Sequence, residues 1–241
     1  MIDELGIGGF VLKQDDDFLK LGTDAMLLSD FARVSKVGTR VCDLGCGNGA
    51  ISILIAARHA QAHIDAIEIM PGAARLAHEN VELNGLSSRM RVLCGDIKDV
   101  RKHYATESFD CVVANPPYLA SGGGLKTDNM NLRHARMEID GTIADFCCAA
   151  RYLLKFGGSF CVVYRPERLS VLMAALLENG FTPKRMRLVQ NSLSAPPSLV
   201  LMEARRGGRH GMKVLPTLLV RDADGSETEE IRNIYHRQTY V

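Results

Sequence analysis

The chain has 241 residues, 46% hydrophobic and 24% charged, with 29 Lys+Arg against 28 Asp+Glu. That length holds one large α/β domain and crowds a second, and the composition excludes a fibrous or disordered chain. A net charge of +1 excludes a uniformly basic nucleic-acid coat, though not a local basic patch.

In chain order, residues 1–36 read as an extension, with an apolar stretch over 10–13 and a helix-like run from Asp24. From Gly38 onward, short apolar runs alternate with helix-period stretches. Strands are expected over 40–44, 63–69, 90–94, 109–115, 159–165, 186–190 and 198–204. Helices are expected over 50–59, 71–84, 139–155 and 166–179, with Pro71 and Pro166 suited to first turns. This alternation predicts an α/β fold with a doubly wound, mostly parallel, Rossmann-like sheet of seven strands. Residues 119–138 are expected to be a long polar loop, 205–213 (RRGGRHGMK) is a basic, glycine-rich stretch, and a terminal helix is expected from Ser226. The organisation is thus a core over 37–205 in a single domain, with extensions at 1–36 and 206–241.

No run approaches the roughly 18 apolar residues of a membrane span, and the start, MIDELGIGGF, lacks the basic and apolar regions of a secretory signal. Seven cysteines show no CxxC spacing. They read as buried free thiols of a reducing compartment, so a cytoplasmic protein without a metal site is expected. Nothing in the pattern fixes an oligomeric state.

The segment VCDLGCGNGAISILIAA runs a strand into Asp43, then Gly45, Gly47 and Gly49, then a helix. The DxGxGxG spacing differs from the GxGxxG of dinucleotide sites, where a helix N-terminus faces pyrophosphate. An acid two positions before the first glycine suits a cationic ligand carrying an amino group. Glu68 ends the next strand, where its carboxylate can accept from both ribose hydroxyls, and Asp96 ends the third, within reach of an adenine amino group. One strand-end carboxylate is unremarkable; three on successive strands beside a glycine loop are a binding set.

The fourth strand, FDCVVAN, runs into Asn115, Pro116, Pro117 and Tyr118. An exocyclic amine or amide nitrogen is a poor nucleophile because its lone pair is delocalised. Two acceptors, the Asn115 side-chain oxygen and the Pro116 carbonyl, can grip its hydrogens and localise that pair. The prolines stiffen the corner, and Tyr118 can stack on the substrate ring. Without the glycine loop before it, this corner would read as a rigid turn.

The order DLGCGNGAI, IEI, GDI, NPPY resembles class I methyltransferases acting on amino or amide nitrogens. Residues 18–31 (FLKLGTDAMLLSDF), NVELNGL and KVLPTLLVRDADGSETEEIRNIY are similar to the bacterial tRNA(Val) adenine-N6 methyltransferases, so the resemblance covers nearly the whole chain. It implies S-adenosylmethionine as cofactor, held by Asp43, Gly45, Glu68 and Asp96, with Gly47, Asn48, Ile69, Ile97 and Asn115 around it. It also implies Thr23 and Asp24 near the cofactor's methionine end and catalysis at Asn115–Tyr118.

The activity expected is methylation of an adenine N6 in a tRNA anticodon loop. RNA affinity needs positive charge near the pocket. The candidates are Arg133, His134 and Arg136, and Arg205, Arg206, Arg209, His210 and Lys213. Glutamine-amide methylation of a release factor and rRNA adenine methylation use the same corner. A non-catalytic adenosylmethionine-binding module would not need it.

Overall fold

The computed structural model describes residues 1–18, 20–34, 37–117 and 141–236. An opening hairpin pairs β1 (Ile2–Glu4) with β2 (Val11–Lys13), and α1 (Thr23–Phe31) follows. Next come β3 (Arg40–Leu44), α2 (Ala50–Arg58), β4 (His63–Glu68), α3 (Pro71–Leu83), β5 (Met90–Cys94), a 3-10 helix over Ile97–Lys102, and β6 (Phe109–Ala114). The later half holds α4 (Ile143–Leu153), β7 (Leu154–Tyr164), a 3-10 turn at Pro166–Arg168 and α5 (Leu169–Glu178). It closes with β8 (Phe181–Gln190), β9 (Pro197–Arg206), β10 (Lys213–Val214), β11 (Leu218–Leu219) and α6 (Glu229–His236).

The main sheet runs β10-β8-β9-β7-β6-β3-β4-β5, with β11 also on β8. Its seven long strands are those expected, and two two-residue strands extend it beyond β8. Among the described strands of this sheet β9 alone runs against the others. The chain leaves β3 for β4 and β5 on one side, then returns to β6 and β7 on the other. The crevice beyond β3 and β6 is therefore the switch point, where such sheets bind ligands.

Strand side chains alternate between two cores. Val41, Cys111, Val113, Cys161 and Val163 pack with Leu27, Leu28, Ile53 and Leu54 of α1 and α2. Cys42, Leu44, Val112, Ala114 and Val162 pack with Phe146, Leu153, Leu172 and Leu176 of α4 and α5. Strands buried on both faces read as continuous apolar runs, which is why Cys111–Ala114 of β6 stands out in the sequence.

Some boundaries need correction. The strand expected at 186–190 begins at Phe181, because the ladder absorbs Pro183 at a register shift before Arg185. A proline lacks the donor for regular pairing, so its presence hid this half of the strand. The strand expected from 159 begins at Leu154, directly after α4. The terminal helix starts at Glu229, where the Ile231 amide donates to the Thr228 hydroxyl at 3.2 Å.

The amino-terminal hairpin is held by side chains that imitate a neighbouring strand. Asn80 of α3 and Asn84, which caps its carboxyl end, lie four apart along the chain. The Lys13 amide donates to Asn80 Oδ1 at 2.6 Å, and Asn80 Nδ2 donates back to the Lys13 carbonyl at 2.9 Å. The Val11 amide and Asn84 Oδ1, and Asn84 Nδ2 and the Val11 carbonyl, repeat the pattern at 2.9 and 2.8 Å. Asn80 Nδ2 also donates to the Asn48 carbonyl at 3.0 Å, tying hairpin and helix to the glycine loop.

Candidate active site

The ladder aligns the carboxyl ends of four strands. Leu44 pairs with Ile67 on one side and Ala114 on the other, and Glu68 pairs with Cys94. One residue beyond these rows stand Gly45, Gly95 and Asn115. The three sequence-predicted acids therefore share one edge, with the proline corner beside the glycine loop.

The loop turns sharply. Gly47 has φ +57°, a backbone conformation that disfavours any L side chain. Glu68, 5% exposed, braces it: Gly47 N donates to Oε2 at 2.8 Å, and Met70 N donates to Oε1 at 2.9 Å. Asp96 is half-buried, and its Oδ1 accepts from Lys98 N at 2.8 Å, capping the 3-10 helix. Ile97 is buried, while Ile69 is partly exposed at the rim.

Asp43 is wholly buried, and Ser52 Oγ donates to its Oδ2 at 2.7 Å. Its Oδ1 and the Nδ2 of buried Asn48 have no hydrogen-bond partner among the described residues. Such orphans cost about 1–3 kcal/mol each unless a ligand satisfies them. An unused acceptor at the end of β3 and an unused donor in the loop that follows fit a zwitterionic, amino-acid-like ligand. Burial pushes the Asp43 carboxyl up to about 7; the Ser52 hydrogen bond opposes that rise and Glu68 adds to it.

A pH dependence follows. With its folded value above the ordinary one, Asp43 contributes stability that is full at low pH and is lost as pH rises through about 7. In ligand-free protein, wild type is expected to lose stability relative to Asp43→Asn between about pH 5 and about pH 8, read by urea unfolding. A difference constant over that window contradicts the buried-carboxylate account.

Asn115 sits on the same edge as Asp43, and its Nδ2 donates to Asp24 Oδ2 of α1 at 2.7 Å. Pro116 is buried and Pro117 half-buried, so the corner is anchored. Thr23, exposed at the start of α1, accepts from Tyr235 Oη of α6 at 3.2 Å. Sequence reasoning missed Ser52, Tyr235 and the Asp24 contact. The first had a local signal: a serine one turn into the helix faces back towards the strand end.

Tyr118, Arg133, His134 and Arg136 lie outside the described residues. Arg205 and Arg206 are placed far from Asn115. Because β9 is reversed, Arg205 pairs with Ser159, in the row of Cys111 and Val41 at the amino edge of the parallel strands. There Arg206 meets Glu107 at 3.0 Å and Arg205 meets Glu203 at 3.5 Å. Arg209 follows this edge, its carbonyl accepting from Lys184 Nζ at 3.1 Å, and Lys213 lies in β10 at the margin of the sheet. Among the described residues no group of three or more His, Cys, Asp or Glu gathers as a metal site, and no helix is long and apolar enough to cross a membrane.

A switch-point crevice with a buried acid just before its glycine loop and an asparagine one residue past the adjoining strand is the arrangement of a Rossmann-like class I methyltransferase. A solved structure from Agrobacterium tumefaciens, described as a predicted O-methyltransferase, shares this fold. Its TM-score is 0.73 at 24% identity, covering 90% of this chain and 98% of that one. TrmN from Thermus thermophilus aligns with a TM-score of 0.55 at 24% identity, covering 76% of this chain and 48% of its own.

The model of the methyltransferase small domain family matches residues 19–185, and the chain belongs to that family. A relative from Serratia proteamaculans, named tRNA1(Val) (adenine(37)-N6)-methyltransferase, is 30% identical over 94% of this chain and 88% of its own. A relative of the same name from Tolumonas auensis is 31% identical over 80% of this chain and 79% of its own.

Proposed function

We propose that this protein transfers a methyl group from S-adenosylmethionine to the N6 amine of an adenine in a tRNA(Val) anticodon loop. One observation carries the reading: the row pairing Leu44 with Ala114 sets Asn115 and Pro116 directly beside the glycine loop. Asp43, Asn48 and Glu68 hold the cofactor, which brings a methyl on a cationic sulfur.

Asn115 Oδ1 and the Pro116 carbonyl accept the two amine hydrogens, and they stabilise the positive charge that develops on the nitrogen. Tyr118 and the RNA contacts at Arg133 and Arg136, next in the chain, belong to the same proposal. Arg205, Arg206, Arg209 and Lys213 are proposed to touch only a part of the tRNA remote from the target base. An adenine in a loop is extruded at a cost of about a few kcal/mol or less, which suits a site at the end of a crevice.

The names of the relatives favour tRNA over a release-factor glutamine, although both offer a planar NH2. Oxygen methylation has no second hydrogen for the paired acceptors to hold. Incubation with isotope-labelled adenosylmethionine, total tRNA and a release factor, then nucleoside and peptide mass analysis, tests the proposal. N6-methyladenosine in tRNA(Val) is expected. Label confined to a release-factor glutamine, or absent from tRNA, contradicts it.

A further inference from the structure

We infer that Asp24 is a positioning residue: it grips the Asn115 amide and so fixes which way the Asn115 carbonyl oxygen points. This inference rests on the proposed role of Asn115 as an acceptor for the substrate amine. The two residues are 91 positions apart, on separate elements, and Asn115 Nδ2 donates to Asp24 Oδ2 at 2.7 Å. An asparagine side chain has two faces of similar shape and opposite polarity, a donor and an acceptor. Rotated by half a turn, Asn115 would present NH2 to an incoming NH2, and the grip on the substrate would become a repulsion. A carboxylate can only accept, so it holds the nitrogen and turns the oxygen away from itself.

The contact is built. The other carboxylate oxygen, Oδ1, accepts from Ala25 N at 2.9 Å, so both oxygens are engaged and the side chain is fixed at the first turn of α1. Gly22 makes the geometry possible, because a Cβ at that position would collide with Asp24 Oδ1. The bland role for Asp24 is an acid at a helix N-terminus, worth about 0.3–1 kcal/mol of stability. That role explains Oδ1 and leaves Oδ2, aimed across the crevice at the corner, unexplained. An ionised acceptor also polarises the amide it holds, which makes the Asn115 oxygen a better acceptor for a nitrogen turning positive.

Three variants test the inference. Asp24→Ala removes the grip, Asp24→Asn keeps a weaker neutral acceptor, and Gly22→Ala pushes an intact carboxylate off Asn115. The first readout needs no ligand: the side-chain amide resonances of Asn115 in isotope-labelled protein. One proton is expected downfield and slow to exchange in wild type, and is expected to lose both properties in Asp24→Ala and Gly22→Ala.

For turnover on tRNA, kcat is expected to fall about 100-fold in Asp24→Ala, as for a misplaced reacting group. Asp24→Asn is expected to recover about tenfold of that loss, and any weakening of adenosylhomocysteine Kd in Asp24→Ala, read by calorimetry, to be at least about tenfold smaller than the loss of kcat. An unmoved Asn115 resonance, an unchanged kcat, or a loss confined to Kd overturns the inference. Should wild type leave tRNA unmethylated, the functional reading fails, while the ligand-free resonances still judge the Asp24–Asn115 grip separately.

Discussion

Asn115→Ala is expected to lower kcat about 100- to 1,000-fold, the cost of removing one preorganised group aimed at a developing charge. Affinity for adenosylmethionine should stay within about threefold of wild type, because the loss belongs to the transition state. The physical reason is the position of the side chain. Asn115 stands one residue past the row joining Ala114 to Leu44, and α1 holds its nitrogen. On the proposed mechanism its oxygen acts on the substrate amine, while Asp43, Asn48 and Glu68, left in place, hold the cofactor. Single-turnover rates with saturating cofactor separate the two effects. A variant with normal single-turnover chemistry removes the corner from the mechanism.

The second large effect is on stability. Arg58 ends α2 and is fully buried. Its Nε donates to Ser29 Oγ at 3.2 Å, its Nη2 donates to the Ile234 carbonyl at 2.6 Å, and Nη1 lies 3.6 Å from Asp30 Oδ1. One guanidinium thus joins α1, α2 and α6. Arg58→Ala is expected to destabilise the protein by about 3–5 kcal/mol, because it leaves buried acceptors and a carboxylate without their shared donor.

Arg58→Lys is expected to rescue little, since an ammonium cannot span that planar fork. Loosening α6 also releases Tyr235 from Thr23, so protease cleavage within 229–236 should accelerate in step. Urea unfolding decides the matter. A loss under about 1 kcal/mol would show that the buried charge costs as much in desolvation as its contacts return.

How far the sequence could be read follows from the range of each signal. The strand β6 announces itself because burial on both faces favours successive apolar residues, as over Cys111–Ala114, while β3 is marked by its apolar positions running into the glycine loop. The acids Asp43, Glu68 and Asp96 fall at strand ends that a short-range pattern can locate. The corner at Asn115–Pro117 was legible for the same reason.

Strand direction was not legible. Alternation of side chains is the same read forwards or backwards, so nothing in residues 198–204 declares that β9 runs against its neighbours. That reversal alone carries Arg205 and Arg206 away from the crevice, to an edge where Glu203 and Glu107 receive them. Long-range partners were equally hidden. The Asp24–Asn115 and Arg58–Ile234 contacts span 91 and 176 residues, and helix periodicity shows that a side chain faces inward without naming what it meets. The hairpin clamp of Asn80 and Asn84 had a local trace in their four-residue spacing, but no trace of the strand they hold.

The most direct measurement is a crystal structure with adenosylhomocysteine and an adenine nucleoside bound. The account predicts the sulfur facing the adenine amine, with both amine hydrogens directed at Asn115 Oδ1 and the Pro116 carbonyl. A sulfur turned from that corner, or an amine held by other acceptors, would contradict it.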